Sequence, residues 1–419
     1  MSRHVTGRDE TADVVILGGG AAGLSLAHRL TRNGTATVVV VEPPDGPLRP
    51  PERTWCYWDR ETGDLDAAVS ASWPRLRVHG ADGDEVTVDP APFRYHMVRS
   101  ARFERLVHSL LARSPGARVL RATADAVRSV PDGAEVRCTA PDGRALTLHA
   151  RHVFDSRPLP VLPPARTLLL QHFRGWFVRT AAERFDPLVA DLMDFRVPQP
   201  RHGLAFGYVL PLAPDRALVE YTQFSRAPLS TEAYEEALGH YGREVLRLGA
   251  FRVEASEQGV IPMTDARFPR RVGPAVFRIG TAGGATRPAT GYTFAAVQRQ
   301  SRAVAAALRH RTHPAGRRNG SHGEELLPAP HGRRALAMDA VLLRALDTGR
   351  IDGPAFFTGL FRRTPPERLL RFLDGATSLR EELGIGLRTP VGPMLRTAAE
   401  LPFLPRRVRP VPRTGEGHA

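Results

Sequence analysis

The stretch that most constrains the fold lies near the start of the chain and reads DVVILGGGAAGLSLAHRL. Asp13 to Leu17 read as a buried strand, the glycines break it, and Ala21 to Leu30 repeat at helical spacing. A second strand, ATVVVVE, follows Asn33-Gly34 and ends at Glu42, nineteen residues beyond Gly23. This is a βαβ unit. Within it Gly18, Gly20 and Gly23 fit G-x-G-x-x-G: the first permits a tight turn, the second bares the backbone where a pyrophosphate approaches, and the third lets helix and strand pack closely. The helix N-terminus at Ala21 and Ala22 then faces the phosphates, and Glu42 is placed to accept hydrogen bonds from a ribose diol. A bound adenine dinucleotide is the expectation.

The chain does not continue as repeated βαβ units. Residues 61–93 are rich in Asp and Gly with short alternating runs, the signature of an antiparallel insertion. A helix follows with Phe103, Leu106, Leu110 and Leu111 on one face, and residues 161–269 are strand-rich. After them AVFRIGTAGGATRPATGYTFAAV repeats the plan of strand, glycine turn and helix. The expected organisation is a discontinuous nucleotide domain (10–60, 94–160 and 270–310) interleaved with a substrate-binding antiparallel sheet (61–93 and 161–269). A helical segment (326–405) and a disordered tail (406–419) complete it, and a polar linker covers 310–325.

Composition excludes several chemistries. All 58 basic residues are arginine, so a lysine Schiff base and a P-loop are ruled out. The two cysteines have no CxxC partner and the histidines no HExxH spacing, so no disulfide framework or metal centre is expected. No apolar run reaches membrane-spanning length, and the polar N-terminus does not read as a secretory signal, which points to the cytoplasm. The net charge of +14 is concentrated late: from 360 to 413 eleven arginines face five acidic residues. They are interleaved with Phe356, Phe357, Leu360, Phe361, Leu369, Leu370 and Phe372. Such a segment reads either as a helix on an anionic membrane surface or as a core-facing helix with a solvated arginine face; nucleic acid is not the expected partner.

The interruption of the first domain by antiparallel strands, and the late glycine turn, resemble para-hydroxybenzoate hydroxylase-like FAD proteins. The fold class expected is therefore α/β: a Rossmann-like FAD-binding domain interleaved with an antiparallel sheet. In that group the late turn commonly carries Asp; here it reads Gly280-Thr281-Ala282-Gly283, with Gly291 and Tyr292 following. In order, GGGAAGLSLAHRL, RTWCYW, FDSRP, QHFRGWFVRT, FGYVLPL, RALVEYTQFS, EQGVIPMTD and GGATRPATGYTFAAV are similar to the bacterial lycopene beta-cyclase family, from about residue 13 to 305 with a weaker tail to about 400.

The resemblance implies conversion of the linear ends of lycopene to β-rings, giving γ- and β-carotene without net oxidation. It implies reduced FAD beside the substrate cation, loaded by NAD(P)H or another reductant, a peripheral place on the membrane, and association with other carotenoid enzymes. No second nucleotide fingerprint follows the first. The resemblance places the essential acid at Glu220, where a carboxyl buried beside Tyr221 and Phe224 holds its proton. The plainer alternative is a strand-end carboxylate satisfied by Arg216 or Arg174. Arg99 matches an arginine that contacts the cofactor in related flavoproteins, and Trp55, with Tyr57 and Trp58, would line a substrate tunnel. Two other functions stay open: an FAD-dependent monooxygenase or reductase of a hydrophobic substrate, and a non-catalytic isoprenoid-binding protein.

Overall fold

The glycine turn sits at the C-terminal edge of a seven-stranded sheet whose centre is the N-terminal strand. The computed structural model describes residues 8–32, 36–60, 63–312 and 326–408. Strand Arg8–Leu17 pairs in parallel with Val38–Glu42 on one side and Ala145–Asp155 on the other. Ala117–Arg121 extends the sheet beyond Val38–Glu42, and an antiparallel hairpin, Thr123–Val130 with Gly133–Thr139, closes the opposite edge. The last three residues of Ala145–Asp155 also pair in parallel with Val276–Arg278. The late strand thus lies one strand from the first, on the far side of Ala145–Asp155.

Alternation along these strands divides two cores. Val14, Ile16, Val38, Val40 and Phe154 face helices Ala21–Thr31, Ser100–Ala112 and Phe294–Thr312, while Val15, Leu17, Val39, Val41 and Val153 face the hairpin side. Of the face expected on Ser100–Ala112, Phe103 and Leu111 are buried and Val107 joins them; Leu106 is only partly covered.

A second seven-stranded sheet runs in the order Phe251–Thr264, Leu168–Thr180, Arg216–Ser225, Leu204–Ala213, Val189–Asp194, Arg75–His79, Glu85–Val88. The central strand Arg216–Ser225 is buried on both faces. One face packs against helix Thr231–His240 through Trp176, Tyr221, Tyr234 and Tyr241. The other is roofed by three elements that share one core: the small sheet Thr54–Asp59, Arg94–Arg99, Val69–Trp73; the loop after Val276–Arg278; and the C-terminal helices.

Helices Arg333–Asp347, Gly353–Arg363 and Pro366–Leu373 supply that last cover. Phe356, Phe357, Leu360, Phe361, Leu369 and Leu370 are buried in the core, and Phe372 packs against it. The lipid-facing alternative for these residues is thereby corrected in favour of the core-facing one. Burying each of these side chains is worth about 1.5–3 kcal/mol, and their arginines are engaged on the rim, Arg362 with Asp84 at 2.6 Å and Arg371 with Glu381 at 2.6 Å. Two residues placed in the expected tail are held to the sheet domain instead: Arg407 forms a bridge with Ala165 and Arg406 meets Asp265 at 3.3 Å. The remainder of the tail, and the linker from 313 to 325, lie outside the described residues.

Candidate active site

At the first turn, Gly18 has φ +99°, a left-handed conformation that favours glycine, and a Cβ on Gly23 would strike the Gly18 carbonyl oxygen. Space in front of Gly20 is open, since a Cβ there would meet nothing within 4 Å. Helix Ala21–Thr31 starts without a side-chain cap and without an acidic residue in its first turn, leaving its amide donors for an anion. The late turn docks directly on this cradle: Gly280, at φ +63°, lies against Ala22, and Ala282 and Gly283 are buried behind the exposed Thr281. Further along, Gly291 abuts the Gln171 side chain of the second sheet. The Gln171 side-chain oxygen and the Thr290 hydroxyl are buried without a hydrogen-bond partner among the described residues.

Glu42 stands at the end of its strand as expected, folded over Gly19. It is not free: His108 lies 2.7 Å and Arg121 2.8 Å from its carboxylate. A ribose there would share Glu42 with the Arg121 guanidinium and the His108 ring. These residues otherwise fit a dinucleotide: bare backbone, unfilled donors and a carboxylate at the required strand end.

The second site lies across the big antiparallel sheet. Tyr208, Glu220, Gly175 and Glu257 stand opposite one another on four adjacent strands, and so point to the same face. Gly175 has no side chain between the two carboxyls; a Cβ there would lie 2.7 Å from Glu220 Cγ and 3.1 Å from its Oε1. Glu220 and Glu257 are both buried and hydrogen-bonded to each other. Burial, and then the neighbouring Glu257 carboxylate, raise Glu220 well above the usual carboxyl range. Glu257 is also raised by burial, but the Thr54 hydroxyl, donating at 2.8 Å, and Arg99 at 3.5 Å act against it. The consistent arrangement has Glu220 protonated and donating to an ionised Glu257.

Neither arginine of the plainer alternative reaches Glu220. Arg216 pairs with Glu254 at 2.8 Å, and Arg174 lies on the opposite face, paired with Glu235 and bonded to Gln258. The acid is instead surrounded by neutral donors. Tyr95 links the hydroxyls of Tyr208 at 2.8 Å and Tyr292 at 3.1 Å, and burial pushes the nearby Cys56 thiol up to about 12.

Alternation separates the other expected site residues. Phe224 shares the Glu220 face, four residues along and about 13 Å away at strand rise. Tyr221 points oppositely, into the helix-covered core, which corrects its place beside the acid. Trp55 stacks on Phe294 and meets Phe103 edge-on in the helix-covered core of the first sheet, which corrects its place in a tunnel beside the acid, whereas its neighbour Thr54 reaches Glu257. Of its companions, Tyr57 also packs on Phe294 and Trp58 meets Tyr292 edge-on at 4.6 Å. Arg99 holds Glu52 at 2.7 Å and lies over Phe177, so its guanidinium is committed to the carboxylate side. Glu257, Thr54, Gly175 and Tyr208 carry the acid's surroundings without having been singled out in the sequence. Their only signal was membership of EQGVIPMTD, RTWCYW, QHFRGWFVRT and FGYVLPL.

Among the described residues no cluster could hold a metal and no helix is long and apolar enough to cross a membrane. The family model described as lycopene cyclase protein matches residues 13–399. The chain belongs to the lycopene cyclase family. That match runs through both glycine turns, the carboxyl pair and most of the C-terminal helices. No curated protein sequence matches the chain significantly. Among solved structures, a geranylgeranyl bacteriochlorophyll reductase-like protein from Thermoplasma acidophilum superposes with TM-score 0.62 at 13% identity, covering 94% of this chain and 100% of its own. The p-nitrophenol 4-monooxygenase of Pseudomonas putida gives 0.57 at 14% identity, with 95% and 99% covered. A flavin-dependent monooxygenase solved with FAD and substrate gives 0.59 at 16% identity, with 93% and 72% covered. This lycopene cyclase family member thus shares the α/β fold of those three structures.

Proposed function

We propose that the chain is an FAD-binding lycopene beta-cyclase in which Glu220 is the acid. One observation carries this reading: a buried carboxyl, held protonated, on the sheet face that meets the late glycine loop at Gln171 and Gly291. The cradle of Gly18, Gly20, Gly23, Ala21 and Ala22 would hold the pyrophosphate and Glu42 the ribose, with Gly280 to Gly283 and Gly291 against the flavin end. Reduced FAD bound there would supply negative charge beside the substrate. The fold it shares with a monooxygenase that binds FAD supports the cofactor, and the family supports a carotene substrate.

Cyclisation needs three things from the protein. A proton is delivered to the terminal double bond of the linear carotene, and Glu220 is the group that holds one in a dry setting. The resulting tertiary cation is captured by the neighbouring alkene, so water must be kept away; the apolar core around Tyr208, Leu218 and Phe224 does this. The ring cation then loses a proton, leaving the count unchanged.

The test is expression in a lycopene-accumulating bacterium, wild type beside Glu220→Gln, with flavin content and pigments both measured. Cyclic carotene from the wild type alone, with flavin in both, is the expected outcome. Untouched lycopene with flavin-loaded wild type would defeat the cyclase reading and favour a monooxygenase or reductase.

The substrate is lipid-soluble, and we place the membrane contact on the last helices. Leu379, Leu383 and Leu387 follow one another at i, i+4 and i+8 and are 53%, 60% and 77% exposed; Leu395 and Phe403 lie beyond them at 65% and 87%. Exposed Arg380, Arg388 and Arg396 stand among them. Apolar side chains fringed by arginine suit an anionic bilayer.

A further inference from the structure

If Glu220 is the acid, as the cyclase reading holds, its neighbour needs a function, because a second buried carboxyl two strands away, across Gly175, is costly to keep. Glu257 is placed by construction rather than by accident of packing. Gly175 leaves the gap in which the two side chains meet, and Thr54 arrives from a strand some two hundred residues earlier to donate to Glu257 Oε2. Arg99 approaches the same oxygen, its own charge shared with Glu52. The other groups facing the pair, the Tyr208 hydroxyl and the Cys56 thiol, are neutral, so Arg99, Glu52 and Glu257 are the charges that set its balance.

We propose that Glu257 is a positioning residue that stays ionised throughout turnover and makes Glu220, once it has given up its proton, a strong enough base to take one back from the ring cation. In balance, Glu220 O–H breaks as the terminal carbon gains its hydrogen; the ring carbon–carbon bond forms; a ring C–H then breaks and its proton returns to Glu220. Between these steps two carboxylates would face each other across Gly175 in a dry setting, and that repulsion is relieved only by reprotonation. Glu257 itself touches no substrate, since its oxygens are taken by Thr54, Arg99 and Glu220. The device also fixes which group holds the resting proton, and it makes solvent unnecessary as a proton source within a turnover.

Glu257→Gln removes the like charge and places an amide donor beside Glu220, so Glu220 titrates lower. Activity requires protonated Glu220 and is lost as pH rises through its folded value. The alkaline limb of cyclisation should therefore move to lower pH by at least one unit in Glu257→Gln, with a larger share of products from water capture or from proton loss at another ring carbon. A structural role alone would lower the amount of active protein and leave the limb and product ratio where they were; that result overturns the proposal. The protonated-carboxyl infrared band of the purified protein, followed against pH, decides independently of turnover. The component that Glu220→Gln removes from it should disappear at lower pH in Glu257→Gln than in wild type; an unchanged component in Glu257→Gln overturns the pair. Inactive wild type with the expected band would fell the cyclase reading and leave the shared proton standing.

Discussion

At the scale of single residues, a missing side chain is as informative as those present. Gly175 is the only position in its row without a side chain, and Gly175→Ala would set a Cβ 2.7 Å from Glu220 Cγ and 2.9 Å from Leu218 Cδ1. Overpacking of this kind costs about 1–3 kcal/mol and displaces neighbours. Gly175→Ala is expected to lower cyclisation at least tenfold while the protein still folds and holds flavin, read by pigment analysis beside flavin absorbance. Full activity would show that the carboxyls do not need the gap. Glu220 was singled out through the family resemblance, while its own stretch, an acid inside a β-rich run, left pairing with Arg216 or Arg174 open; the structure places it in the middle of its strand, away from both arginines. Glu257 was not singled out, because pairing across a third strand is a property of register, and register is fixed by turns and buried faces that no local motif displays. Tyr221 was misplaced for the same reason: adjacent in sequence, it is on the far side of the sheet.

Among the elements, the late glycine loop is held from behind by the C-terminal helices. Arg287, in the middle of that loop, is almost fully buried and meets Asp339 of helix Arg333–Asp347 at 2.7 Å. Burial pushes Asp339 up to about 6 despite Arg287. The His331 ring lies 2.9 Å from the Ala285 carbonyl, and Arg299 meets Asp374 at 2.5 Å. Removing one partner of a buried pair leaves the other uncompensated, at about 3–5 kcal/mol. Arg287→Met should lose stability of that order in chemical denaturation together with flavin affinity, and the double change with Asp339→Leu should recover most of the stability; equal loss in both would mean the pair is not what binds loop to helix. The strand, turn and helix at both glycine turns could be read from glycine spacing and apolar periodicity. The clasp could not, since it joins residues about fifty apart through contacts that neither stretch announces.

For the molecule as a whole, acid and lipid give separate tests. His172 and His331 are buried and neutral, each pushed down to about 4 by burial, against an ordinary value of 6.5. The unfolded chain binds protons at these positions below pH 6.5 and the folded one does not until near 4. Their contribution is therefore intact above 6.5 and is lost as pH falls toward 4, by roughly 3 kcal/mol each. Asp339, raised to about 6, and the raised Glu220, Glu257 and Asp374 work in the opposite sense and offset part of this. Between pH 6.5 and 4 the denaturant midpoint should fall less, or rise more, in His172→Phe than in the wild type; identical profiles would contradict a neutral buried His172. For lipid, Leu383→Glu with Leu387→Glu should abolish co-sedimentation with anionic vesicles, while charge reversal of Arg362 and Arg371, already paired on the protein rim, should weaken it far less. Equal loss from both would return the membrane face to the earlier helices. The basic, apolar character of the C-terminal segment was plain in the sequence, but which helices are covered depends on a sheet built from residues two hundred positions earlier.

The interleaving of the two sheets also sets an order of events during synthesis. The first sheet stays incomplete until Val276–Arg278 emerges to join Ala145–Asp155, and the second has by then been threaded between its parts. The acid follows the same schedule, because Thr54 must wait some two hundred residues for Glu257. A nascent chain stopped before Val276–Arg278 would leave unfinished strand edges open to pairing with other chains, so this fold stays exposed to misassembly for longer than its length alone would suggest.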